Sequence, residues 1–267
     1  KVGGERRELT LFFSDIEGFT TLAESMPAES LLSHVGEYLD ELTRIVMEER
    51  GTVDKFIGDA IMSFWNAPHP EPDHAAAACR AALRCQRRLD ALNAKWSAEG
   101  KVPLPTRIGL ATGEVIVGNV GSSERLNYTA LGDTVNLAAR LEGANKRYGT
   151  RVLLAATTAD LVRDRFHVRP VDLVAVKGKS SAVRVCELLG EKGGEDDARL
   201  AVVAERTQDA YDLFLKREWD LADATLHDLL ELVPGDPVAM RLLSLVETFR
   251  HTPPPDGWDG TSRLDAK

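Results

Sequence analysis

Apolar residues in this chain follow strand and helix periods up to about residue 190 and a helix period alone beyond it. Leu9–Ser14 is a short β-prone run. Ala28–Arg50 sets Leu31, Leu32, Val35, Leu39, Leu42 and Val46 at i, i+3/i+4 before Gly51, which predicts an amphipathic helix with a glycine stop. Thr52–Ile57 and Ala60–Trp65 are apolar runs parted by Gly58-Asp59, the pattern of a tight β-hairpin with glycine in the turn. Asp73 is placed to cap a long alanine-rich helix reaching about Ala98. Thr106–Thr112 and Glu114–Gly118 read as another strand pair and Thr134–Tyr148 as a helix stopped by Gly149. Val152–Ala155, Val171–Val176 and Val183–Leu188 read as further strands. Strands and helices mixed in this order predict an α+β fold, a sheet covered by helices.

Three glycines and a charge cluster in Gly190-Glu-Lys-Gly-Gly-Glu-Asp-Asp197 mark a seam. Beyond it Leu200–Leu215, Leu221–Leu232 and Val238–Phe249 are helix-like, and Trp219, Ala222, Leu226, Leu229, Leu230 and Pro234 have the spacing of a tetratricopeptide-type hairpin. The expected organisation is a domain over residues 1–190 and a helical extension over 191–267, the stretch from His251 onward being mostly irregular.

Composition narrows the class. With 267 residues, 43% hydrophobic and 28% charged, the chain has the make-up of a folded globular protein. Its net charge of −9 is unevenly spread, about −1 over residues 1–190 and −8 beyond, and no basic stripe interleaved with aromatics recommends nucleic acid as a partner. The longest apolar stretch, Ala75 to Leu83, is broken by Arg80 and is far shorter than a bilayer span, so no direct membrane contact is expected. Cys79, Cys85 and Cys186 lack CxxC spacing and are odd in number, which fits a reducing, cytoplasmic setting. The opening Lys1 with no leader pattern reads as a piece of a longer protein.

The chemistry lies in three stretches. Phe13-Ser-Asp-Ile-Glu-Gly-Phe-Thr20 puts the Asp15 carboxylate at a strand end, followed by a helix whose first residues, Phe19 and Thr20, offer main-chain N–H groups to phosphate. Asp59, in the turn of the predicted hairpin, presents a second carboxylate at a sheet edge. Singly, one is an N-cap and the other a common turn residue; as a pair they suit hard divalent cations that bridge carboxylates to substrate phosphates. Lys55 interrupts an apolar run and, alone, reads as a snorkelling edge lysine. Asn136 and Arg140 are i and i+4 on one helix face, where Asn suits a sugar oxygen and Arg a charged phosphoryl oxygen. Lys177 and Lys179, between two strands, suit phosphate.

Other matches fail. Gly178-Lys179-Ser180 has Leu173 where a phosphate-binding P-loop needs glycine. His69 and His74 lack cysteine partners for zinc, and Asn127-Tyr128-Thr129 is a chance glycosylation match in a chain with no sign of secretion.

Taken together, Phe13–Thr20, Val53-Asp-Lys-Phe-Ile-Gly-Asp59 and Tyr128-Thr-Ala-Leu-Gly-Asp-Thr-Val-Asn-Leu-Ala-Ala-Arg140 resemble the class III nucleotidyl cyclases over roughly residues 5–190. The resemblance implies a ferredoxin-like catalytic domain working as a head-to-tail homodimer with sites between two chains. It implies that Asp15, Asp59 and the Ile16 carbonyl hold two Mg²⁺ or Mn²⁺ ions. The other subunit would supply Lys55 and Thr129 for the base, Asn136 for the ribose and Arg140 for the transition state. Adenine, with an acceptor at N1 and a donor amine at N6, suits a Lys55 ammonium and a Thr129 hydroxyl oxygen, whereas guanine reverses that polarity. ATP is therefore the expected substrate and cyclic AMP the product. The alternatives are a guanylate cyclase and a catalytically silent nucleotide-binding module. Glu114 stands where some family members place an arginine, which leaves Lys177 or Lys179 to meet the terminal phosphates.

Overall fold

The computed structural model describes residues 3–122, 124–175 and 182–263, in two compact units, residues 1–145 and 146–267. The expected α+β architecture is present in both. Lys177 and Lys179 lie outside the described residues.

In the first unit the strands β1 (Gly3–Ile16), β2 (Thr52–Ile57), β3 (Ala60–Trp65), β4 (Thr106–Gly121) and β5 (Leu126–Leu131) form an antiparallel sheet in the order β2-β3-β1-β4-β5. The helices are α1 (Phe19–Ser25), α2 (Ala28–Glu48), α3 (His74–Ala98) and α4 (Asp133–Tyr148), the last running on past residue 145. β1 pairs with β4 along its whole length, from Gly3 opposite Asn119 to Ile16 opposite Thr106. Leu9, Leu11 and Phe12 of β1, Phe64 and Trp65 of β3 and Leu110 of β4 are buried in the core. The alanines of α3 allow that helix a close approach to the sheet, and Leu89, Leu92 and Trp96 fill its remaining contact face.

Helix α4 fixes the geometry that matters for function. A Cβ added at Gly109 would lie 2.2 Å from the Glu142 nitrogen and 2.3 Å from the Ala138 oxygen, so only glycine admits α4 at this distance from β4. Asn145 Nδ2 donates to Ile108 O at 2.9 Å and fastens the helix there.

Two local expectations change. The runs expected as a pair, Thr106–Thr112 and Glu114–Gly118, are one continuous strand: Gly113 makes no turn, and the missing side chain leaves room for Thr134, whose Oγ1 would sit 2.7 Å from a Cβ. Asp73 stands at the α3 N-cap without a side-chain capping bond; instead its carbonyl accepts from Ala77 N at 3.0 Å and the Glu71 carboxylate accepts from Asp73 N at 3.2 Å. His74 is a core residue bonded to Thr10 at 2.8 Å. The three cysteines are buried thiols.

In the second unit β6 (Val152–Ala155), β7 (Phe166–Ala175), β8 (Val183–Glu191) and the short β9 (Ser262–Arg263) line up as β6-β8-β7-β9. Around them lie α5 (Ala156–Val162) and the three predicted extension helices, α6 (Asp197–Leu215), α7 (Trp219–Leu232) and α8 (Pro237–His251). The glycine-rich segment 190–197 joins β8 to α6. Arg169 is buried and bonds Glu187 at 2.7 Å and Asp236 at 2.8 Å; Asp236 also caps α8 by accepting from Ala239 N. Phe214, Trp219, Phe249 and Trp258 stack into one aromatic cluster, which pins the otherwise irregular C-terminal stretch onto the helical hairpin.

Candidate active site

Asp15 is the penultimate residue of β1 and Asp59 follows Gly58, whose φ of 63° makes the tight β2–β3 turn. Ser14 of β1 is opposite Ile61 of β3, and this register brings the turn to the end of β1. The main-chain N–H of Ile16 donates to Asp59 Oδ2 at 3.0 Å, and the two aspartate carboxyls come within hydrogen-bonding reach of each other. Burial first, then the Asp59 carboxyl, push the Asp15 carboxyl up from 3.8 to about 7. Glu142 of α4 adds to that field, and its own carboxyl is raised by burial. Arg107, opposite Asp15 in β4, partly offsets the crowding, with Nη2 3.8 Å from Asp15 Oδ2 and Nε 3.2 Å from Glu142 Oε1. Two converging carboxylates, Asp15 held back from ionising by burial and by its neighbour, have the donor chemistry to hold divalent cations, which would relieve the repulsion. Gly18, with φ 71°, then turns the chain into α1, opened by Phe19 and Thr20.

A second group assembles on β2 and β5. Lys55 Nζ donates to Thr129 Oγ1 at 3.1 Å, joining residues 74 apart in sequence. A bulge between Val53 and Lys55 breaks the β2–β3 register and leaves Asp54 unpaired in the ladder. The Asp54 side chain is only 1% exposed, accepts the Thr129 hydroxyl proton at Oδ2 and lies 3.4 Å from Lys55 Nζ through Oδ1. Lys55 itself remains 38% exposed, so its ammonium combines a buried counter-ion with an open side.

Asn136 and Arg140 share the exposed face of α4, while Ala138, Leu141 and Asn145 on the opposite side are buried. The pair therefore points away from the strand that carries Arg107 opposite Asp15. Within one chain the structure unites Asp15 with Asp59, and Lys55 with Thr129, but leaves Asn136 and Arg140 turned outward. Glu114 pairs with Arg6 at 2.8 Å on the surface.

Sequence reasoning missed Asp54, Arg107 and Glu142. A charged residue in an otherwise apolar strand was the available signal for Arg107; the partners of Asp54 and Glu142 are set by the bulge and the helix crossing.

The described residues thus bring together a carboxylate pair with donor chemistry for cations and, on β2 and β5, a cationic donor beside a hydroxyl. The sequence profile of the Adenylate and Guanylate cyclase catalytic domain family matches residues 4–187, and the chain belongs to that family. It is similar to Adenylate cyclase 1 of Rhizobium meliloti (strain 1021), 42% identical over 185 residues that cover 69% of this chain and 28% of that protein. It is also similar to the terminal-differentiation specific adenylate cyclase of Dictyostelium discoideum, 34% identical over 238 residues, 86% of this chain and 11% of that protein. The chain thus spans less than a third of the length of these curated relatives. Among solved structures it is similar to the adenylyl cyclase CyaB from P. aeruginosa, with TM-score 0.66 and 35% identity over 72% of this chain and 98% of that one. The guanylyl cyclase Cya2 aligns with TM-score 0.65 and 32% identity over 73% and 98%.

Proposed function

We propose that this chain is an adenylate cyclase that converts ATP to 3′,5′-cyclic AMP and pyrophosphate at sites shared between two copies of itself. The observation that carries the substrate is the Lys55–Thr129 contact at 3.1 Å, a cationic donor beside a hydroxyl oxygen, which matches N1 and N6 of adenine. Guanine at the same place would set donor against donor, at about 1–3 kcal/mol for each buried group left unsatisfied. The named adenylate cyclases among its relatives agree with this reading.

In the reaction the ribose 3′-oxygen attacks the α-phosphorus in line, its bond to phosphorus forming as the bond to the pyrophosphate oxygen breaks. The 3′-proton passes to a substrate phosphate or to water, and pyrophosphate leaves with the electron pair. Asp15, Asp59 and the Ile16 carbonyl would hold two Mg²⁺ or Mn²⁺ ions, which when bound lower the 3′-hydroxyl pKa and neutralise charge on the triphosphate. Lys55 and Thr129 orient the base. Asn136 fixes the ribose, and Arg140 meets the charge growing on the α-phosphoryl group. The main-chain N–H groups of Phe19 and Thr20, with Lys177 and Lys179, bind the remaining phosphates.

The outward face of Asn136 and Arg140 supports the homodimer: in a two-fold pair each chain lends that face and its base pocket to the other's aspartates. Among the described residues no helix is long and apolar enough to cross a membrane. We assign the catalytic domain to residues 1–190, the accessory helical extension to 191–267, and the chain's place of work to the cytoplasm, with a sensor or membrane region N-terminal in the whole protein.

The test is a product assay with ATP and separately GTP, in Mg²⁺ and in Mn²⁺, over a wide range of protein concentration. Cyclic AMP formed with a specific activity that rises with concentration is the expected result. Cyclic GMP as the main product, or no cyclic nucleotide at any concentration, contradicts the proposal.

A further inference from the structure

We propose that Asp54 is a positioning residue for base selection: it takes the Thr129 hydroxyl proton and so holds Thr129 as an acceptor toward the purine. This rests on the assignment of Lys55 and Thr129 to the base, and adds a residue that touches no base itself.

Proton count at Thr129 decides what its hydroxyl offers a ligand. A threonine hydroxyl has one proton and two lone pairs, and can turn to donate or to accept. At Thr129 that freedom is gone. Lys55 Nζ, 3.1 Å from Oγ1, has only protons to offer and takes one lone pair. Asp54, as the carboxylate paired with Lys55 at 3.4 Å, has only lone pairs to offer, and the Thr129 proton points to its Oδ2. The second lone pair of Thr129 is what remains for a ligand. A purine with an amine at position 6 finds an acceptor there; a purine with a carbonyl at position 6 meets oxygen against oxygen.

The fold makes this arrangement difficult to rearrange. The bulge after Val53 takes Asp54 out of the β2–β3 ladder, and its side chain is 1% exposed, so water does not compete for the Thr129 proton. β5 carries Thr129 opposite Gly118 of β4, and the Thr129 residue is itself buried. Asp54 touches no base in this scheme; it acts through Thr129, and by charge it also holds Lys55 beside the same hydroxyl.

The experiment uses two ratios, kcat/KM for ATP over GTP, and the competitive affinities of 2′,3′-dideoxy-ATP over 2′,3′-dideoxy-GTP against a fluorescent nucleotide. The dideoxy compounds lack the attacking hydroxyl, so the second ratio does not require turnover. Asp54→Asn, whose amide can donate to Thr129 and free its proton, is expected to lower both ratios by about tenfold or more, the scale of one mismatched buried hydrogen bond. In a Thr129→Val background the same substitution is expected to change them less than about twofold, because the hydroxyl it acts through is gone. A general loss of folding would lower both nucleotides together and leave the ratios unmoved. Should Asp54→Asn not fold, Asp54→Ser, whose hydroxyl also both donates and accepts, is read on the same ratios with the same expectation. Unchanged ratios in a folded Asp54 variant, or an equal change with and without the Thr129 hydroxyl, overturn the positioning role while leaving the adenylate cyclase assignment standing. A wild-type chain with no adenine preference in either ratio overturns that assignment and this role with it.

Discussion

Ile16 N–H donates to Asp59 Oδ2 at 3.0 Å, so the end of β1 and the β2–β3 turn are locked together with their aspartates converging. The bond orients Asp59 from the same stretch of chain that presents Asp15. Burial is the larger cause of the Asp15 carboxyl's rise to about 7, and the Asp59 carboxyl held close by this bond adds to it.

Asp15→Asn separates function from stability. An acid raised in the folded state binds more protons there than in the unfolded chain, so its unfavourable contribution is absent below about pH 4, grows from pH 4 to about 7 and is constant above. The asparagine variant removes that decline. Without added divalent cations it should be more stable than wild type at pH 8, by on the order of 1–2 kcal/mol after allowance for solvent screening at this partly exposed group, and no more stable at pH 4. Its cyclase activity should fall by at least about a hundredfold. Urea titrations at the two pH values, beside a product assay, check both. A variant that is inactive and equally destabilised at both pH values would count against a cation-binding role.

Lys55→Glu reverses the polarity opposite N1 of the base. The ATP-over-GTP ratio of kcat/KM should drop by about tenfold or more, with total activity reduced, because the new carboxylate also faces Asp54 across the bulge. Steady-state kinetics with both nucleotides decide it, and unchanged ATP selectivity would remove Lys55 from base recognition.

Gly109→Ala tests the seat of α4. Its Cβ would press on main-chain atoms of Ala138 and Glu142 at 2.2–2.3 Å, which cannot move without shifting the helix. A loss of about 2–4 kcal/mol in unfolding free energy is expected, measured by denaturant titration, and activity should fall with it because Asn136 and Arg140 ride on the same helix. A neutral substitution would show that α4 is not so closely packed.

Much of this was legible beforehand, for reasons that can be stated residue by residue. The hairpin limits Thr52–Ile57 and Ala60–Trp65 were readable because Gly58-Asp59 is local turn chemistry between apolar runs, and the bounds agree. α2 and α7 were readable from period as helices. The stripe α2 buries, however, is His34, Tyr38, Leu42, Ile45 and Val46, so of the six expected positions only Leu42 and Val46 are buried and Leu32 is exposed. Gly113 misled because its signal is shared by turns and by close approach; only the position of Thr134 distinguishes them. β5, Leu126-Asn-Tyr-Thr-Ala-Leu131, has no clean alternation and exists as a strand through pairing with β4. Of the residues proposed for the site, the aspartates, Lys55, Thr129, Asn136 and Arg140 stand out as motif residues. The Asp54 bulge and the Arg107–Glu142 contact do not, because both follow from how separate elements meet.

The proposed sharing of each site between two chains predicts complementation between two inactive variants. Asp15→Asn loses the cation half and Arg140→Ala the transition-state half, and each alone should retain no more than about a hundredth of wild-type activity. Mixed in equal amounts and allowed to exchange, half of the dimers pair one of each, and one of the two sites in such a dimer combines an intact Asp15 with an intact Arg140. Recovery of about a quarter of wild-type activity is predicted by that symmetry. A mixture no more active than its components would contradict it, since it would mean that Asp15 and Arg140 of one chain serve the same site.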